Sequence, residues 1–183
     1  MTRLIFDIET NGLAPTKAWC IVTENIDSSV ISTYVEGQWQ LFNEAIAQAK
    51  EVIGHNILGY DIPACERLLK TDFSGPKVTD TLVMSRLANP QRDGHSLAYW
   101  GDTLGFPKGD YSDWSQFTPE MLEYCKQDVA VTREVYKALT KELEDFDNSS
   151  IDLEHGVAEI IQKQIRNGWL LDRPKARDLV AEL

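Results

Sequence analysis

The sequence predicts an α/β domain, a mixed β-sheet with helices packed on it, and three observations carry that reading. Short strand-like runs come first, helical periods then interleave with further strand signals, and a long helix with a clear start follows. At 183 residues, 43% hydrophobic and 26% charged, the chain has ordinary globular composition and enough length for one substantial core.

Residues 4–9, 19–26 and 30–35 read as strands separated by the turn-rich N-G-L-A-P-T and D-S-S, which is the pattern of an antiparallel meander. From Trp39 to Lys50 the period becomes helical, and E-V-I-G-H-N then reads as a short buried strand feeding a helix over Asp61–Lys70. Segments 79–89 and 95–105 are helical by period, the second stopped by Gly105 with Pro107 beyond. The clearest helix opens at T-P-E-M, with Thr118 as N-cap, Pro119 in the first turn and Glu120 at the positive end of the dipole, and runs to about Glu144. It carries a core stripe of Leu122, Cys125, Val129, Thr132, Tyr136, Leu139 and Leu143. Beside it lies a second stripe of Met121, Tyr124, Asp128, Val131 and Val135. D-F-D-N-S-S reads as a linker, residues 151–168 as a last full helix, and the final segment as the start of another that stops before a second apolar layer.

Composition excludes several classes. No apolar run approaches the ~20 residues that cross a bilayer and no signal-type segment opens the chain, so the expected compartment is the cytoplasm. Cys20, Cys65 and Cys125, odd in number and without C-x-x-C spacing, read as buried, reduced and structural. His55, His95 and His155 lack metal-type spacing, and no phosphate-binding glycine motif is present. Trp100 and Trp169 read as core residues. A net charge of −11 argues against a protein that coats DNA, but not against one that grips a strand end through metal ions held by its own acids.

The acids carry the chemistry. In L-I-F-D-I-E-T, the period of two puts Asp7 and Glu9 on one face of a strand and Leu4, Phe6 and Ile8 on the other. Two like charges side by side call for solvent, a shared proton or a cation. Asp128 lies one helical turn after Tyr124, on a face that continues into Val131 and Val135. Asp61 sits where a strand passes into a helix. Singly, each has an ordinary explanation: a frayed strand end, a solvated helix edge, a helix-dipole partner. Together, a strand end, a strand-to-helix junction and a late helix can aim four carboxylates at one point, the oxygen-rich environment that Mg²⁺ prefers.

D-I-E at 7–9, N-I-L-G-Y-D at 56–61 and Y-C-K-Q-D at 124–128 resemble, in order, the three motifs of DnaQ-like 3′-5′ exonucleases of the tyrosine (DEDDy) subclass. The histidine subclass would place His at position 123, where this chain has Glu123. V-T-D-T-L-V-M-S-R-L, H-S-L-A-Y-W-G and the stretch from Asp152 to Asp172 are similar to the proofreading domain of phage family A DNA polymerases, the last resembling the start of a polymerase domain. The resemblance implies a ribonuclease H-like mixed sheet flanked by helices, an exonuclease domain over 1–148 and a helical segment over 149–183. It implies that Asp7, Glu9, Asp61 and Asp128 bind two Mg²⁺ or Mn²⁺ ions and that Tyr124 orients the attacking water. By the same resemblance Leu13 wedges between the last two bases, while Thr10, Asn56 and Tyr60 contact the 3′ nucleotide of a single-stranded DNA end. Asp80 and Asp110 match no catalytic position.

The implied partner is a polymerase domain in cis or in trans, and the chain is a fragment or a free-standing exonuclease. An RNase D-like exoribonuclease would use the same residues on RNA. A catalytically silent scaffold would be expected to have lost a motif acid, and none is lost.

Overall fold

The computed structural model describes residues 2–107 and 109–182. Five strands, β1 (Thr2–Thr10), β2 (Ala18–Asn25), β3 (Val30–Val35), β4 (Ala49–Gly54) and β5 (Lys77–Asp80), form one sheet in the order β3-β2-β1-β4-β5. The first three make the antiparallel meander expected from sequence. β4 and β5 then add in parallel on the other side of β1. The helices are α1 (Trp39–Gln48), α2 (Asp61–Leu69), α3 (Thr81–Ala88), α4 (Leu97–Leu104), α5 (Pro119–Glu142), α6 (Asn148–Asn167) and α7 (Arg173–Glu182).

The two faces of β1 serve two cores, as its period of two requires. Leu4, Phe6 and Ile8 pack with Phe42 and Ile46 of α1 and Cys65 of α2. Ile5 on the opposite face packs with Met121, Cys125 and Val129 of α5. Asp7 and Glu9 therefore point into the α5 side of the sheet rather than into open solvent. A further cluster joins Val131, Val135 and Leu139 of α5 to Met84 of α3 and Trp100 of α4. Both stripes of α5 are thus engaged, because the helix is flanked on two sides. Its start has the expected capping, with Thr118 accepting from the Met121 N–H at 3.1 Å.

Three expectations need correction. The helical reading of 79–89 begins too early: Lys77–Asp80 is a strand, too short to display an alternation, and the helix starts at Thr81 with Asp80 as its N-cap. The D-F-D-N-S-S linker is shorter than expected, since Asp147 caps a helix that already includes Asn148. Trp169 is not a core residue. It follows the break at Gly168 (φ 67°) and is 89% exposed, whereas Trp100 is buried. Of α6 only His155 is buried among the described residues, and α7 buries none.

Candidate active site

The acids converge where the carboxyl ends of β1 and β4 meet α2 and α5. One open cleft of about 780 Å³ is lined by Asp7, Glu9, Asp61, Tyr124 and Asp128, and also by Thr10, Leu13, Asn56 and Tyr60. All nine residues singled out from sequence thus share one cavity. Each element contributes for a local reason. The pairing of β1 with β2 shifts register between Glu9 and Thr10, a bulge that ends the strand and redirects the chain just past the two acids. In α5 the helical turn aligns Tyr124 with Asp128, and Gly109 packs against the Tyr124 ring. Asp61 opens α2, and its carboxylate accepts the Ile8 N–H at 3.3 Å, which ties the second motif to the first.

Burial makes this a concentrated negative site. Glu9, Asp61 and Asp128 are 7%, 5% and 3% exposed, and Asp7 is half-buried. Burial, then the Asp7 charge, push the Asp61 carboxyl well above the ordinary carboxylate range, against the opposing hydrogen bond from Ile8. Tyr60 is raised too, first by burial and then by the acids around it, with its Thr10 hydrogen bond opposing.

The donor set fits a hard divalent cation. Ligand atoms of Asp7, Glu9 and Cys125 lie within 4.8 Å of one another. The thiol does not belong to that set: burial above all holds Cys125 well above its ordinary range, and its S–H donates to the Asp7 carboxylate at 3.4 Å. Cys125 therefore buttresses Asp7, and the four carboxylates that line the cleft supply the oxygen donors that a hard divalent cation prefers. Burial, then the nearby Asp61 charge, push the Cys65 thiol well above its ordinary range, and all three cysteines are free and buried as expected.

The rim is built firmly. Tyr60 donates its hydroxyl to the Gly12 carbonyl at 2.8 Å and lies 2.5 Å from the Thr10 hydroxyl. Asn11 accepts from the Thr16 and Lys17 N–H groups, and Arg67 donates to the Pro15 carbonyl. This bracing holds Leu13 out, 94% exposed at the lip of the cleft. Asn56 adopts φ 60°, and Gly54 before it has no room for a side chain, since a Cβ there would come within 1.9 Å of Ile57 Cγ2.

Asp80 is the residue that sequence reasoning passed over. Its carboxylate accepts the N–H groups of Asn56 (2.8 Å), Leu58 (3.1 Å) and Leu82 (2.9 Å), so it fixes the loop leading into Asp61 as well as capping α3. Its own N–H donates to His155 Nε2 at 2.9 Å, while His155 Nδ1 bonds the Ile151 carbonyl. His155 is thus a satisfied core histidine, as its lack of metal spacing suggested. The cleft is further lined by His55, Leu82, Arg86, His95 and Trp114, none of which was singled out from sequence as a site residue. Trp114 stands edge-on to Tyr124, with ring centres 5.7 Å apart.

Comparison with known proteins agrees with this geometry. The profile of the 3′-5′ exonuclease family matches residues 1–144. The DNA-directed DNA polymerases of Enterobacteria phage T3 and Escherichia phage T7 are 29% and 27% identical over 98% of the chain. The chain spans about a third of their length, 35% in each case. Among solved structures, one described as the apo form of a nuclease superposes with a TM-score of 0.73 at 22% identity, covering 92% of this chain and 86% of that one. Brucella melitensis NrnC with bound Mg²⁺ gives 0.63 at 22% identity, covering 89% and 81%. These likenesses establish the fold, a ribonuclease H-like sheet flanked by helices.

Proposed function

Because the chain belongs to the 3′-5′ exonuclease family, we propose that it removes nucleotides from the 3′ end of single-stranded or frayed DNA by metal-dependent hydrolysis. The observation that carries this reading is the meeting of Asp7, Glu9, Asp61 and Asp128, with Tyr124, in one cleft.

The four carboxylates would hold two Mg²⁺ or Mn²⁺ ions. When bound, the ions lower the pKa of a water molecule and neutralise charge on the attacking and leaving oxygens. Tyr124, half-buried one turn before Asp128 at the wall of the cleft, would orient the attacking water for in-line displacement. The bond from phosphorus to the 3′ oxygen breaks, releasing a nucleoside monophosphate. Thr10, Asn56 and Tyr60 contact the terminal nucleotide, and Leu13, exposed on a braced loop, inserts beside its base.

DNA as substrate is supported by the relatives, which are named as DNA polymerases. On that basis the biological role is proofreading for a phage-type polymerase, in cis or in trans, within the cytoplasm of the cell. Among the described residues no helix is long and apolar enough to cross a membrane. Residues 1–148 form the exonuclease domain, and 149–183 the helical start of a polymerase domain. The weak burial of α6 and α7 supports that division, with Leu153, Ile160, Ile165, Trp169 and Leu170 exposed.

The test is Mg²⁺-dependent release of mononucleotides from end-labelled DNA and RNA of one sequence. DNA is trimmed faster, and Asp7→Ala lowers the rate at least about a hundredfold. Retained activity in Asp7→Ala overturns the site, and equal or faster trimming of RNA moves the substrate class to RNA.

A further inference from the structure

The cleft that holds the acids has a second wall of opposite character. Leu82 and Arg86 of α3 line it, together with His95, Ser96 and Leu97 at the start of α4. In a chain with 18 Lys and Arg against 29 Asp and Glu, a strand of phosphates gains little from the overall field and must find its donors locally.

The hydrogen-bond network fixes what His95 offers. The Trp100 indole N–H donates to the Ser85 hydroxyl oxygen at 3.0 Å. Ser85 can then direct its own proton to His95 Nδ1, 2.7 Å away. With Nδ1 accepting, a neutral imidazole carries its proton on Nε2, the nitrogen that Ser85 leaves unengaged. Burial first, then the charges of Arg86 and Arg92, hold the ring below its ordinary imidazole range, so the neutral form prevails at pH 7. His95 is therefore an oriented N–H donor backed by Ser85 and buried Trp100.

The two neighbouring cations differ in availability. Arg92 is committed, paired with Glu142 at 2.5 Å and lying 4.4 Å from the centre of the Trp100 ring. Arg86 is exposed, and no ion pair among the described residues holds it. Ser96 caps α4 by accepting the Tyr99 N–H at 3.1 Å, so the positive end of that helix reaches the same wall.

We propose that Arg86 and His95 form a subsite for an internucleotide phosphate of the bound single strand, on the 5′ side of the bond being cut. The proposal rests on the exonuclease reading, which assigns the terminal phosphate to the acids. A second phosphate needs donors set apart from them, and the α3–α4 wall supplies a fixed N–H and a long, adaptable guanidinium within the same cavity.

The experiment compares two substrates on the whole chain with Mg²⁺: a short single-stranded oligodeoxynucleotide and the p-nitrophenyl ester of thymidine 5′-monophosphate, which has only the phosphate that is hydrolysed. For Arg86→Ala and His95→Ala, KM on the oligonucleotide should rise about tenfold. The ratio of kcat/KM between oligonucleotide and ester should fall by at least about fivefold. The conservative variants Arg86→Lys and His95→Gln should recover most of the ratio, since each restores a donor. The dependence of log KM on log salt should flatten by about 0.7 in Arg86→Ala, the contribution of one phosphate contact on a single strand.

Equal proportional losses on both substrates would overturn the subsite, because a merely structural role harms both alike. So would no loss on either. Wild-type protein that hydrolyses neither substrate overturns the exonuclease reading and the subsite together, whereas an active wild type with an unchanged ratio overturns the subsite alone.

Discussion

Replacing Asp80 with Ala should damage the site without touching any residue proposed to bind metal. The carboxylate is 2% exposed and accepts three backbone N–H groups, those of Asn56, Leu58 and Leu82. A hydrogen bond to a charged group contributes roughly 1.5–3 kcal/mol, and a buried donor left unmade costs about 1–3 kcal/mol. The Leu82 bond is an N-cap, whose loss alone costs about 1 kcal/mol. The carboxylate pays for its own burial, which raises its pKa despite the three donors, so the net figure lies below the simple sum. A loss of about 3–5 kcal/mol is expected, a large part of a typical domain's stability. Asp80→Asn, which keeps an acceptor oxygen, should lose about half as much. Urea unfolding followed by far-ultraviolet circular dichroism measures both, and Mn²⁺ titration of the folded protein reads the loop, whose loosening should weaken ion binding through Asp61. A loss below about 1 kcal/mol for Asp80→Ala would show that these N–H groups find other partners and would refute the reasoning.

Further outcomes follow from the same geometry. Asp61→Asn should stabilise the metal-free protein by about 0.5–2 kcal/mol, as removal of a strained functional charge commonly does, while abolishing divalent-ion binding. Because the folded-state pKa of Asp61 is raised, its contribution to metal-free stability is fully present below the ordinary Asp value and is lost as pH rises through the raised value. Thermal melts in chelator should therefore fall as pH increases above the carboxylate range, less steeply in Asp61→Asn, and saturating Mg²⁺ should oppose the fall by binding the ionised form. Gly54→Ala should cost about 1–3 kcal/mol, since its Cβ would meet Ile57 Cγ2 at 1.9 Å and the Phe6 carbonyl at 3.1 Å. Chemical denaturation checks it, and a loss under about 0.5 kcal/mol would mean that Ile57 moves aside freely.

The pairings that repeat within one element were legible in the sequence. Asp7 with Glu9 follows from a period of two, and Tyr124 with Asp128 from one helical turn, so the structure had only to bring the faces together. What lay hidden depends on contacts between distant segments. Asp80 falls inside the segment read as helical from residue 79, and its hold on Asn56 and Leu58 spans more than twenty residues. The strand at Lys77–Asp80 has only four residues, too few for a period, and exists because β4 offers it an edge. His95 and Ser85 are ten residues apart, Ser85 on α3 and His95 just before the cap of α4, and no motif spacing announces that one orients the other. Trp169 looked like core because aromatic residues after a helix often pack back, and no such packing forms here.

The most direct test of the central claim is a crystal structure of the protein soaked in Mn²⁺, with anomalous scattering used to locate the ions. Two peaks roughly 3.5–4 Å apart, ligated by oxygens of Asp7, Glu9, Asp61 and Asp128, are the expected result. No peak in the cleft, or an ion ligated by Cys125 in place of the carboxylates, would contradict it.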